Sequence, residues 1–192
     1  MPDVFEVLRT DHEQVKAMLE ALESSPGSAQ GASDPVLQAR GELATRLVME
    51  SSKHEAAEEQ YFWPVVREQV SDGDELASEA IRQEEEAKEI LDKIEKLDAS
   101  QAEFDELLAV LTPATRKHIE FEETKVWPLL RQALDARQVN ELGGQVARAE
   151  ELGPTRPHPG TPADPTVLKT AGTAAAMIDK LRDAATGRGS AN

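Results

Sequence analysis

Two stretches of this chain repeat each other. Residues 54–66 read HEAAEEQYFWPVV and residues 118–130 read HIEFEETKVWPLL. Aligned without a gap, His54 meets His118, Glu58 meets Glu122, Glu59 meets Glu123, and Trp63-Pro64 meets Trp127-Pro128. The segments ahead of them share a fainter likeness, HEQVKAMLEAL from His12 against EEEAKEILDKI from Glu84. Self-similarity at a fixed period means that a chain is built from copies of one unit. Here the unit is a helical hairpin used twice.

Periodicity defines the helices. Val4, Leu8, Val15, Leu19 and Leu22 recur at three- and four-residue steps, which predicts an amphipathic helix over 4–23. It stops in the turn-rich SSPGSAQGAS at 24–33. Asp34 before Pro35 reads as an N-cap with proline at the first helical position, opening a second helix to about residue 67. After the break at Ser71-Asp72-Gly73, a third helix over 74–97 carries Ala80, Ala87, Leu91 and Ile94. A fourth over 103–135 carries Leu107, Leu111, Val126 and Leu129, with Pro113 expected to kink it. No segment sustains period-two alternation. The prediction is an all-α fold, an up-down-up-down four-helix bundle over residues 1–150. Residues 151–192 form an extension. Five of the chain's 11 prolines fall in 153–165, which predicts a stiff linker. A short, mildly basic helix over 166–185 follows, carrying Val167, Met177, Ile178 and Leu181, and it is expected to dock on the bundle or on a second subunit.

The apolar stripes are interrupted in the same way on every helix. His12 falls between Leu8 and Val15, and Glu84 between Ala80 and Ala87. On helix 2 the stripe of Leu43 and Leu47 runs into Ser51, His54, Glu58, Tyr61 and Val65; on helix 4, Leu107 and Leu111 lead to His118, Glu122, Lys125 or Val126, and Leu129. Residues four apart share a helix face, so each H-x-x-x-E aims both groups inward. Burying three imidazoles and three carboxylates uncompensated costs several kcal/mol per ion, and a cation at their centre removes that cost. Imidazole and carboxylate without sulfur suit iron, manganese or zinc. Two such units supply ligands for two ions, with the glutamates placed to bridge. Glu55, Glu59 and Glu123 are rotated off the stripes and read as solvated or supporting residues, Trp63 and Trp127 as packing at the bundle end, and His158 as an exposed linker residue.

Composition excludes several other classes. With 37 acidic and 21 basic residues the net charge is −16, unsuited to nucleic acid or an anionic membrane surface. The absence of cysteine removes disulfides, thiolate metal sites and a cysteine nucleophile. Without a recognisable signal peptide or spanning segment, the expected location is the cytoplasm.

With its doubled H-x-x-x-E and trailing Trp-Pro, the chain resembles the hemerythrin-like proteins of the HHE cation-binding family over about residues 1–150. That family's pattern is a His on helix 1, H-x-x-x-E on helix 2, a His on helix 3 and H-x-x-x-E on helix 4. His12, His54, Glu58, His118 and Glu122 match it, whereas Glu84 stands where a third-helix His is expected. The Pro-rich tail resembles the C-terminal extensions of some bacterial members. The resemblance implies two non-heme iron ions with an oxo or hydroxo bridge, and chemistry with O2, hydrogen peroxide or nitric oxide. Glu84 adds negative charge that favours ferric iron and opposes reversible O2 carriage. Tyr61, seven residues after His54, is a candidate phenolate ligand or proton donor, and with Glu84 a candidate catalytic residue. The expectation is a redox enzyme acting on small oxidants, catalase-like first and oxidising nitric oxide or nitrite next. The alternative is an O2 or NO carrier or sensor, or an iron-responsive module. The chain is expected to be a monomer or homodimer.

Overall fold

Asp3 starts the first helix by accepting a 2.7 Å hydrogen bond from the Phe5 amide, a group that the helix itself leaves unpaired. The computed structural model describes residues 2–161 and 172–188. Its helices in chain order are α1 (Val4–Ser24), α2 (Asp34–Ala57), α3 (Trp63–Gln69), α4 (Gly73–Ile94), α5 (Ala102–Phe121), α6 (Trp127–Ala133), α7 (Ala136–Leu152) and α8 (Thr173–Thr186). The second and fourth predicted helices are each a long rod broken into two α-helical parts by a π-helical turn. Glu58–Phe62 joins α2 to α3, and Glu122–Val126 joins α5 to α6. Helix α5 runs through Pro113 as one element. Among the described residues there is no strand.

The bundle closes as a ring, with α1 against α2 and α5, and α4 against α2, α3 and α5. Its apolar core comes in two parts. Val4, Phe5, Leu8, Phe62, Trp63, Val126, Trp127 and Leu130 fill the Trp-Pro end. Val15, Leu19, Leu47, Val48, Leu91, Phe104, Leu108 and Leu111 fill the other. Between them lies a layer of buried histidine and glutamate.

The π-turns explain where the predicted stripes fail. A π-turn bonds i to i+5 rather than i+4 and so adds a residue to the helix face. Beyond Glu58 the inward positions are therefore Phe62, Trp63 and Val66, not Tyr61 and Val65. Beyond Glu122 they are Val126, Trp127 and Leu130, while Leu129 is 41% exposed and Lys125 is exposed. Each turn precedes a Trp-Pro pair. A proline in a regular α-helix would clash with the carbonyl four residues back, that of Gln60 for Pro64 and of Thr124 for Pro128, and it has no N–H to give.

Helix α7, where no separate helix was expected, packs on α1 and α2. Asp135 and Gln138 form its capping box. Gly143 permits the close approach, since a Cβ there would lie 2.1 Å from the Pro2 carbonyl oxygen. Helix α8 lies against the bundle, but not through its large apolar residues. Met177, Ile178 and Leu181 face outward, whereas Asp179 and Asp183 are buried. They bind the start of the linker. Asp183 accepts from the Thr155 hydroxyl and from Arg156 at 2.6 Å, and Asp179 pairs with His158 at 2.9 Å. Arg156 and Arg188 both bind Glu95. Polar pairing, not the apolar stripe, fixes this helix, and His158 is half-buried rather than exposed. Val167 and the start of the predicted final helix lie outside the described residues.

Candidate metal centre

The polar layer gathers side chains from all four bundle rods. His12 comes from α1, His54 from α2, Glu58 from the first π-turn, Glu84 from α4, His118 from α5 and Glu122 from the second π-turn. They form two groups. In the first, one ligand atom each from His12, His54, Glu58 and Glu122 lies within 4.8 Å of the others; the second joins Glu58, Glu84, His118 and Glu122 in the same way. Glu58 and Glu122 belong to both. Glu122 reaches His12 Nε2 through one oxygen and His118 Nε2 through the other, each at 3.0 Å. His54 Nε2 is 3.3 Å from Glu58, and Glu84 lies 3.9 Å from His118 Nε2. Tyr61 lines a neighbouring cavity of about 740 Å³, between α2, α7, α8 and the linker.

This layer fits a cation. Both oxygens of Glu58 and of Glu122, Glu84 Oε2, and the Nε2 atoms of His12, His54 and His118 are buried without a hydrogen-bond partner. Orphaned polar atoms in an interior cost about 1–3 kcal/mol each, and here they converge. Burial raises the Glu58 carboxyl well above its usual range, with the charges of Glu122 and Glu84 adding to it. Burial and Glu59 do the same to Glu84. Burial also pushes on Glu122, but His118 and His12 outweigh it and hold that carboxylate low. His118 is driven up to about 9, burial opposing and Glu122 and Glu84 prevailing. Burial lowers His54.

A surrounding set of groups holds the ligands. Trp63 Nε1 donates to Glu84 Oε1 at 2.6 Å, so this residue does more than pack the bundle end. Trp127 stacks on the His12 ring, centroids 5.3 Å apart and planes at 11°. His12 Nδ1 meets Glu123 at 3.0 Å, and His118 Nδ1 meets Gln83 at 3.2 Å. Glu123 is thus a supporting residue, but Glu55 and Glu59 are buried rather than solvated, with Glu59 paired to Lys88. Lys88 stays cationic because Glu55, Glu59 and Glu84 outweigh its burial. The apolar-periodic reading of helix 3 had no place for this lysine; its i+4 relation to Glu84 was the available signal. Glu150 and Asp11, also unassigned from sequence, flank the outer nitrogen of His54. Burial and Asp11 push Glu150 up to about 9.

Comparison with known proteins supplies the family and the fold. The family model for the hemerythrin HHE cation binding domain matches residues 3–130, and the chain belongs to that family. An uncharacterized hemerythrin-like protein of Schizosaccharomyces pombe is 31% identical over 139 residues, covering 72% of this chain and 68% of that one. A DNA nickase of a Nostoc species is 25% identical over 148 residues, 77% of this chain but 39% of that protein. In structure, an HHE domain-containing protein of Mycobacterium kansasii superposes with a TM-score of 0.65 at 19% identity, over 93% of this chain and 99% of the other. The chain therefore carries a hemerythrin-like helical bundle with a candidate metal-binding cluster at its centre. Among the described residues, no helix is long and apolar enough to cross a membrane.

Proposed function

We propose that His12, His54, Glu58, Glu84, His118 and Glu122 hold two non-heme iron ions with an oxo or hydroxo bridge, and that the protein decomposes hydrogen peroxide in the cytoplasm. Oxidation of nitric oxide or nitrite is a related activity of the same centre. The observation that carries this reading is the pair of donor groups sharing Glu58 and Glu122. Bound there, the two irons would supply the two-electron change that peroxide disproportionation requires.

The chain's own residues do the rest. Glu58 and Glu122, fully buried and common to both groups, would be the residues that hold both ions. Phe62, Trp63 and Val126 on one side and Leu47 and Leu111 on the other keep bulk water away. Trp63 fixes one oxygen of Glu84 and leaves the unpartnered Oε2 as the oxygen that would serve the metal. Lys88, beside Glu59, offsets the negative charge around Glu84. We assign Tyr61 to the cavity wall, displaced from the ligand set by the π-turn.

A carrier or sensor would form a reversible adduct without turnover, and the Glu84 carboxylate weighs against it by favouring ferric iron. Nicking of DNA is not carried over from the Nostoc relative. The chain spans 39% of that protein, and a net charge of −16 gives little hold on a phosphate backbone. The test is O2 release from iron-loaded protein given hydrogen peroxide. Sustained evolution over many turnovers is expected, and a stable adduct with no O2 evolved would overturn the enzymatic reading.

A further inference from the structure

Each histidine of the cluster turns Nε2 inward and Nδ1 outward. The outer nitrogen of His12 has Glu123 at 3.0 Å, and that of His118 has Gln83 at 3.2 Å. His54 differs. Its Nδ1 faces Asp11 Oδ2 at 3.6 Å and Glu150 Oε1 at 3.9 Å, and all three atoms are buried with no hydrogen-bond partner. Asp11 lies next to His12 on α1, but Glu150 comes from α7, beyond the residues 3–130 that match the family.

A metal-binding imidazole almost always gives its other N–H to a carboxylate, carbonyl or water, which fixes its tautomer and ring plane. We propose that Glu150 is a positioning residue for His54: its carboxyl, beside that of Asp11, holds the ring with Nε2 toward the metal. The inference rests on the two-metal reading above. Helix α7 then completes one of the two metal positions, that of His12 and His54, while the position of His118 and Glu84 is supported by Gln83 and Trp63.

Metal-free full-length protein titrated anaerobically with ferrous iron, and separately with manganous ion, tests this by stoichiometry and affinity. Wild-type protein should take two ions per chain. Glu150→Ala should weaken one of them by about 10–100-fold and leave the other unchanged. Glu150→Gln, which keeps a carbonyl oxygen beside Nδ1, should restore it. The unfolding midpoints of the metal-free variants show that each is folded. Two ions bound by Glu150→Ala with wild-type affinity would overturn the proposal, as would equal weakening of both. A third ion in wild-type protein, lost in Glu150→Ala, would also overturn it and make Asp11, His54 and Glu150 a cation site. Wild-type protein that binds no ion would defeat the two-metal reading itself, a failure distinct from the others.

Discussion

Glu55 shows what a single buried carboxyl does in this protein. It is adjacent to His54, 7% exposed, and burial raises its pKa from 4.5 to about 8 despite the opposing charge of Lys88. Folding therefore favours its protonated form. A carboxyl raised in the folded state contributes stability that is complete below its unfolded pKa and is lost as pH rises through the folded one. For Glu55 the loss falls between about 4.5 and 8. Glu55→Gln, neutral at every pH, should match wild-type stability at pH 4.5 and exceed it at pH 9 by on the order of a few kcal/mol. Denaturant unfolding of the metal-free proteins at the two pH values measures the difference. An equal effect of the substitution at both would show that Glu55 does not titrate in this window.

At the scale of elements, the inward polar residues were legible because periodicity depends on spacing alone. His12, His54, Glu58, Glu84, His118 and Glu122 meet in one layer, as their places on the stripes required. The stripes misled beyond Glu58 and Glu122, where the π-turns shift the face, leave Tyr61 at the edge of the core and turn Leu129 outward. The repeated Trp-Pro was the trace of those turns, though a helical proline does not by itself specify a π-turn. Helix α7 was hidden for another reason. Its buried residues are few, Leu142, Gly143 and Val146, and a glycine in the contact leaves no hydrophobic mark. The same glycine gives a prediction. In Gly143→Ala the added methyl would meet the Pro2 carbonyl, so α7 must shift from α1, at about 1–3 kcal/mol by denaturant unfolding. An unchanged midpoint would show that α7 does not dock as described. How α8 is anchored was not legible because the anchoring is ionic, through Asp179 and Asp183, and charge pairs with distant residues have no periodic signature.

The whole molecule joins a duplicated hairpin to additions that the repeat does not contain. The two halves supply matching H-x-x-x-E units, but the partners opposite them differ: a histidine, His12, on α1 and a carboxylate, Glu84, on α4. Two unlike positions sharing Glu58 and Glu122 result from that asymmetry. Residues 153–161 of the linker and α8 lie beside the bundle, held by Arg156, Arg188 and Glu95. What the bundle contributes is a layer between two apolar cores where buried histidines and glutamates converge, an arrangement whose burial cost a bound cation would offset. The decisive measurement is iron content per chain together with the magnetic state of the oxidised protein. Two ions per chain, spin-coupled through shared ligands so that the ferric form gives no paramagnetic resonance signal, is the expected result. One ion per chain, or two ferric ions with the signals of isolated high-spin centres, would contradict a centre in which Glu58 and Glu122 are held in common.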